Sequence, residues 1–376
     1  MKRTRDSRDR RPGTRSAPGP LVAAVLLLTA ASPALATGTV EMPATKTVTD
    51  ALGRTVEVPV APQRIVTAGR AVLMIADALY LFPGVSERIV GIGRIDQGKG
   101  NFLAAIDPDY HEKTVLERNV GPGQVVALAP DLVILKSFMR ERLGEGVERL
   151  GVPVVYVDLE TPEQYQRDLR LLGEVLGRPA RGRELAGYYE RTSASIERAV
   201  RDTIDAGASR PRTLFLYADL AGGETVFNVP PRGWIQTTLV ELAGGEPVWF
   251  DAISGGGWNR VGLEQIAAWN PEVVALVAYR QDATGVREAL RANRAASRLD
   301  AVANDALHLV PLDFYSWDQP DARWILGLAW LADTLHPGVL GEELGETFYG
   351  FFEFAYRMNR EEVDEIVVPR LEGFTP

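Results

Sequence analysis

Two distant stretches of this chain echo one another: Ala127-Leu128-Ala129-Pro130-Asp131-Leu132-Val133-Ile134 and Ala268-Trp269-Asn270-Pro271-Glu272-Val273-Val274. Each reads as a helix end, a proline, an acid and then an apolar, β-branched strand, which supports an internal duplication. A strand that is apolar at every position is buried on both faces, and a parallel sheet covered by helices on each side meets that need. The same grammar fills the first half. Arg64 to Thr67 is apolar and β-branched, Val72 to Leu81 has helical spacing, Ile89 to Ile92 is apolar again, and Gly151-Val152-Pro153 introduces Val154 to Val157. A helix follows from near Thr161-Pro162-Glu163. Ahead of all this, Lys46 to Asp50 and Thr55 to Val58 alternate around Gly53-Arg54 and read as a hairpin.

From Arg181 to about Asp205 the positions Leu185, Tyr188, Tyr189, Ser193, Ile196, Val200 and Ile204 run helically with no Gly or Pro after Gly187. That is a strut of about 35 Å at 1.5 Å per residue. After Ser209-Arg210-Pro211 the grammar restarts, with strands at Thr213 to Tyr217, Val273 to Val277 and His308 to Val310 and a helix at Trp234 to Ala243. The chain is therefore expected to be α/β, with one lobe before the strut and a second after it.

The 376 residues leave room for two such lobes, but residues 1–36 do not resemble the rest. Seven Lys or Arg precede the apolar run Leu21 to Ala31 and the small-residue end Ala34-Leu35-Ala36, the order of a secretory signal cleaved after Ala36. The run is shorter than the roughly 20 residues of a permanent span. Pro12-Gly13 after Arg10-Arg11 favours the Sec route over the twin-arginine one. Without the leader, Lys and Arg fall from 41 to 34 and Asp and Glu from 50 to 48, a net charge of -14 that argues against nucleic-acid binding. There is no Cys, hence no disulfide, thiolate metal site, cysteine nucleophile or acceptor for a lipid anchor. A free periplasmic protein is expected.

Several short motifs, each weak alone, occur in a specific order: Asp50-x-x-Gly53-Arg54 with Val56-x-Val58-Pro59, Pro62-x-Arg64-Ile65-Val66, Pro130-Asp131-Leu132-Val133, Leu242-Ala243-Gly244-Gly245, and Leu263-Glu264-Gln265-Ile266-x-x-Trp269-Asn270-Pro271. In that order, residues 47–367 resemble the class III periplasmic substrate-binding proteins of ABC importers for ferric siderophores, haem and cobalamin. The stretch Ser316-Trp317-Asp318 through His336-Pro337 resembles an iron-complex branch of that family. The resemblance implies two Rossmann-like lobes joined by a single long helix, with the ligand cleft between the lobes. It divides the chain into a signal peptide (1–36), an N-terminal lobe (37–178), a linking helix (179–208) and a C-terminal lobe with a helical tail (209–376). It also implies an ABC permease/ATPase complex as partner, a small-molecule ligand that is a metal chelate, a monomer, and no bound cofactor. Open parallel sheets hold ligands outside the carboxyl ends of their strands, so the candidates are strand-following loops.

Arg70, after the first core strand and before a helix, suits an anionic group or a surface ion pair equally. Arg94 lies on a second loop edge, whereas Lys99 between Gly98 and Gly100 reads as exposed loop. Gly255-Gly256-Gly257-Trp258-Asn259-Arg260 sets an aromatic and a cation on a glycine-rich loop, and in cobalamin-binding members of the resembling family a Trp matching Trp258 packs on the ligand. Tyr315, Trp317, Asp318 and Arg323 follow the last strand; aromatic faces with an arginine suit a planar or catecholate-like chelate, while Trp324 and Trp330 belong to the core. The family docks on its permease through one Glu per lobe, seven residues before the Pro of the strand entry. Glu264 fits that rule, but the first-lobe position is Gly123, leaving Glu117 as a substitute or an atypical permease.

Other functions are weaker on these residues. His111, His308 and His336 are the only histidines and do not cluster, against direct zinc or manganese capture. Haem would call on Tyr110, His111 or Tyr315 as axial ligand, and a molybdate-type oxyanion on Arg70, Arg94 and Arg323. No Gly-x-Ser-x-Gly, His-Glu-x-x-His or phosphate loop supports a hydrolase. Acid pairs such as Asp318 and Asp321 read as helix N-terminal charges.

Overall fold

The computed structural model describes residues 44–221, 224–279, 281–341 and 343–376, so the leader read as an export signal lies outside the described residues. Strands β1 (Thr45–Thr49) and β2 (Thr55–Pro59) pair antiparallel as the predicted hairpin. Its Asp50 carboxylate accepts from the Leu52 and Arg54 N–H groups and from the Arg54 guanidinium at 2.8 Å, while Gly53 takes a left-handed φ of 73°. Arg54 also reaches Glu148 at 2.6 Å and lies over the Tyr156 ring, tying the hairpin to the first lobe.

That lobe runs β3 (Ile65–Thr67), α1 (Val72–Tyr80), β4 (Ile89–Gly93), α2 (Phe102–Ile106), β5 (Thr114–Leu116), α3 (Pro122–Val126), β6 (Leu132–Lys136), α4 (Glu145–Arg149), β7 (Val154–Val157) and α5 (Pro162–Val175). Its sheet is wholly parallel, in the order β5-β4-β3-β6-β7. Val133, Leu135, Val154 and Tyr156 pack into one core; Ile134, Val155 and Val157 pack into the other. This is the two-sided burial that the apolar strands demand. The chain leaves β3 first to one side and later returns to the other, so the topological switch lies between β3 and β6. Thr161 caps α5 by accepting from the Gln164 N–H, as its place before Pro162 predicts.

Helix α6 (Pro179–Asp205) follows as an unbroken 27-residue rod, about 40 Å long. It crosses α5 where Gly182 faces Gly173, and a Cβ at either glycine would meet backbone within 3 Å. The second lobe contains β8 (Arg212–Ala221), β9 (Glu224–Val229), α7 (Ile235–Leu242), β10 (Glu246–Pro247), β11 (Asn259–Val261), α8 (Leu263–Trp269), β12 (Val273–Val277), α9 (Ala283–Ala292), α10 (Asp300–Ala303), β13 (Leu307–Leu309), α11 (Trp324–Leu335), α12 (Glu343–Tyr356) and α13 (Arg360–Ile366). Its sheet order is β11-β9-β8-β12-β13. The β8, β12 and β13 strands are parallel, but β9 and β11 join antiparallel, an extension not visible in the apolar pattern.

The sequence echo is a structural one. Ala129 and Asn270, the residues before the two prolines, both adopt left-handed φ (48° and 42°). In each lobe an arginine at the start of the first strand caps the carbonyls of that helix end: Arg64 binds Leu128 O and Ala129 O, Arg212 binds Trp269 O and Asn270 O. The acid after each proline answers back, Asp131 accepting from the Arg64 N–H and Glu272 from the Arg212 N–H.

Between the lobes, beneath the mouth of the cleft, runs a seam of polar contacts. Asp77, within the otherwise apolar α1, accepts from the Ala322 N–H at 3.0 Å and the Tyr356 hydroxyl at 2.7 Å. The Tyr315 hydroxyl accepts from the Phe102 N–H at 3.1 Å, the Lys99 N–H donates to Phe314 O at 2.8 Å, and Tyr189 of the rod donates to Ala322 O. Arg181 at the foot of the rod donates to Leu81 O and Phe354 O.

Candidate functional site

A cleft of about 530 Å³ opens between the lobes at the carboxyl ends of their strands. Ala71 and Met74 enter it after β3, Gln97 and Gly98 after β4, Arg118 after β5, Phe138 after β6 and Glu160 after β7. All five parallel strands of the first lobe thus supply a wall residue, on both sides of the topological switch. The facing wall comes from Tyr217 and Asp219 on β8, Trp234 to Gln236 at the start of α7, Trp258, Tyr279 after β12, and Gln319-Pro320.

The second-lobe wall is aromatic. Tyr217 lies 4.9 Å from Trp258 and 4.8 Å from Tyr279, ring centre to ring centre, and Trp234 meets Trp258 edge-on at 5.4 Å. The pairs are tilted or perpendicular, as ring quadrupoles favour. Trp258 is half-buried just ahead of β11, whose register with β9 (Asn259 opposite Val229) sets the ring against β8. Behind this wall Asp318 is buried and accepts from Ser316, from the Tyr279 hydroxyl, and from Gln236 Nε2 at 3.1 Å. Burial pushes the Asp318 carboxyl up and the Tyr279 phenol well above its usual range.

The first-lobe wall is polar, and its cations are engaged. Arg118 pairs with Asp96 at 3.4 Å. Lys136, wholly buried at the end of β6, holds Glu160 at 2.5 Å and donates to Leu159 O; burial is the main cause of its lowered pKa. Helices α1 and α7 both begin at the cleft, where Ala71 and Met74 of the one and Trp234 to Gln236 of the other form part of the lining.

Of the residues singled out in the sequence, Trp258 lines the cleft. Arg70 is exposed beside Ala71, outside the lining, with no hydrogen-bond or ion-pair partner among the described residues. Arg94 is exposed and paired with Glu117, whose pKa that pair lowers. Arg260 is exposed on β11, also outside the lining. Glu264 is exposed in the first turn of α8, and Gly123 is exposed in α3.

Three others require correction: Tyr315, Trp317 and Arg323 are fully buried in the seam and core rather than in the cleft wall. The Arg323 Nε donates to Asp313 at 2.8 Å, its guanidinium stands 3.7 Å from Asp77, and its flat face lies over Phe102. Trp317 donates to Asp313 and packs on Phe348. Asp321, read as a helix-end charge, is buried there too, and burial raises its pKa well above normal. Lys99 is likewise anchored, 2.6 Å from Glu372, and not a free loop cation. His111 is exposed and Tyr110 half-buried, neither in the cleft. The reading missed Tyr217, Tyr279, Gln236 and Trp234, although Tyr217 ends a predicted strand and Tyr279 stands two residues beyond another.

Residues 65–312 match the model of the periplasmic binding protein family. The chain belongs to that family. It is 21% identical over 219 residues to the vitamin B12-binding protein of Pectobacterium atrosepticum, covering 54% of this chain and 75% of that one. It is 23% identical over 320 residues to the molybdate-binding protein MolA of Haemophilus influenzae, covering 78% and 86%. A periplasmic solute-binding protein from Veillonella parvula shares the fold, with a TM-score of 0.68 at 22% identity over 86% of this chain and 97% of that one. The chain is thus a periplasmic solute-binding protein of an ABC transporter, and its relatives are binding proteins, not enzymes. Among the described residues no helix is long and apolar enough to cross a membrane, and no group of His, Asp or Glu could hold a metal ion directly.

Proposed function

We propose that this protein captures a bulky metal chelate, an iron complex of the ferric siderophore type, and hands it to an ABC permease. The observation that supports this cargo class is the four-ring wall of Tyr217, Trp234, Trp258 and Tyr279 in a cleft of about 530 Å³. Ring faces grip the organic skirt of a chelate through apolar contact, whereas a bare oxyanion calls for converging free cations. Here Arg118, Lys136 and Arg94 are each paired with a carboxylate, so a chelate of low negative charge fits better than a trianionic one or molybdate. The second reading is a corrinoid, favoured by the likeness to the vitamin B12-binding protein and by the same aromatic wall.

In this proposal residues 1–36 direct export and are removed after Ala36, leaving a free monomer, and Glu264, exposed at the start of α8, meets the permease. In the same proposal the lobes divide at 178 and 208, on either side of the rod. Native mass spectrometry of residues 37–376 and quenching of tryptophan emission by a ferric trihydroxamate, a ferric tris-catecholate, haem, cyanocobalamin and molybdate test the cargo. A trihydroxamate or cobalamin that binds the wild type, and at least about tenfold more weakly with Trp258→Ala, supports the reading. Binding of molybdate alone, unaffected by Trp258→Ala, overturns it.

A further inference from the structure

Two of the hydrogen-bond donors in the second-lobe wall, the Tyr279 hydroxyl and the Gln236 amide, are turned away from the cleft. Both go to Oδ2 of Asp318, while Oδ1 accepts from Ser316. Asp318 is 1% exposed and is not part of the lining, so it acts only through its neighbours. Because a carboxylate only accepts, it fixes the sense of all three bonds: Tyr279 must donate inward, and Gln236 must turn its NH₂ inward. The Gln236 Oε1 is left without a partner in the protein.

We propose that Asp318 is a positioning and specificity-determining residue of the cleft: by drawing in the donors of Tyr279 and Gln236, it withholds both from the ligand and leaves the Tyr279 ring as the surface met there. An apolar ligand skirt meets a matched surface at that point; an anionic ligand gains no hydrogen bond from either side chain. The Asp318→Ala change breaks this, because it removes every acceptor the three donors share, and for Tyr279 and Gln236 the way out is toward the cleft. Tyr279→Phe, which removes one hydroxyl and keeps the ring, is the gentler variant and guards against a misfolded Asp318→Ala.

This inference rests on the cleft reading above for its binding assay, so the test has one arm that needs no ligand. In 3-fluorotyrosine-labelled protein, the fluorine resonance that Tyr279→Phe deletes is Tyr279. Asp318→Ala is expected to move that resonance toward the solvent-exposed position while the other tyrosines stay. An unmoved resonance overturns the positioning role, whatever the protein binds. In the second arm, dissociation constants are measured for the neutral ferric trihydroxamate, cyanocobalamin and molybdate. Loss of one charge-assisted hydrogen bond predicts about 3- to 10-fold weaker binding of the neutral probe in either variant, with no further loss in the double variant. The ratio of molybdate to neutral-probe affinity is expected to rise in Asp318→Ala. Additive losses with an unchanged ratio would mean that Asp318 is merely structural and would refute the proposal. If no probe binds the wild type, the cargo reading fails, and the fluorine arm alone decides this one.

Discussion

Gly98 sits where the cleft floor meets the seam, and the cost of a methyl group there can be worked from the structure. Its φ is +92°, a region that disfavours an L side chain by about 1–2 kcal/mol. An added Cβ would lie 2.1 Å from Phe314 O, roughly 1.2 Å inside the closest ordinary carbon-to-oxygen approach of ~3.3 Å. It would also lie 2.9 Å from the Tyr315 ring. Relief requires the backbones to part, an overpacking penalty of about 1–3 kcal/mol. Parting them also stretches the 2.8 Å bond from the Lys99 N–H to Phe314 O, worth about 1 kcal/mol. Gly98→Ala should therefore lose about 3–6 kcal/mol in urea unfolding with an unchanged m value, and should weaken ligand binding because the seam underlies the cleft. Gly257→Ala is the control: a Cβ there meets nothing within 4 Å, and stability should change by no more than about 0.5 kcal/mol. A Gly98→Ala protein that unfolds within about 1 kcal/mol of wild type would refute the reading of the seam as a tight, load-carrying contact.

Other consequences are equally open to measurement. Arg323→Met removes the cation from among buried Asp77, Asp313 and Asp321 and should cost about 3–5 kcal/mol, seen as a large drop in the urea midpoint. Burial and its carboxylate neighbours raise the Asp321 pKa in the folded state, so the stabilising proton is present below the unfolded carboxylate range and is lost as pH rises through the folded pKa. Asp321→Asn should accordingly unfold at higher temperature than wild type at pH 8, with the difference narrowing as the buffer is acidified; a constant difference would contradict the linkage. Gly327→Ala would drive a Cβ to 2.2 Å from Trp317 O and should abolish soluble expression or lower the melting temperature sharply. Arg212→Ala, which uncaps α8, should lose about 1–2 kcal/mol without changing ligand affinity, as titration and melting together would reveal.

Much of the fold was legible because its signals are local. Continuous apolar strands, Thr161 ahead of Pro162, and the uninterrupted helical spacing after Gly187 each constrain their own segment, and β7, α5 and α6 lie where those signals put them. The duplicated strand entry was legible as a pattern, but its Arg64 and Arg212 caps were not, since each arginine closes on a helix end 57 to 65 residues away. The site was less legible for the same reason. Trp258 was found through its glycine-rich loop, yet Tyr315, Trp317 and Arg323 also follow a strand end and nonetheless turn inward. Position along the chain locates a loop, not the direction of its side chains. One clue was present: Asp77 interrupts an apolar helix, and a buried carboxylate demands donors from elsewhere in the fold. The β9–β11 extension escaped because its strands are short and only partly buried.

The seam also bears on how the molecule comes into being. The seam hydrogen bonds that link the two lobes directly join residues 213 to 279 positions apart, from Phe102 with Tyr315 to Asp77 with Tyr356. Such closures come late, after most of the chain has been synthesised, and contacts of long sequence separation slow folding. Until then the Asp77 carboxylate stays hydrated and keeps α1 from settling, so a nascent first lobe is held short of its final packing. A chain waiting to cross a membrane unfolded would profit from that delay, and a fragment ending before residue 322 would never outgrow it.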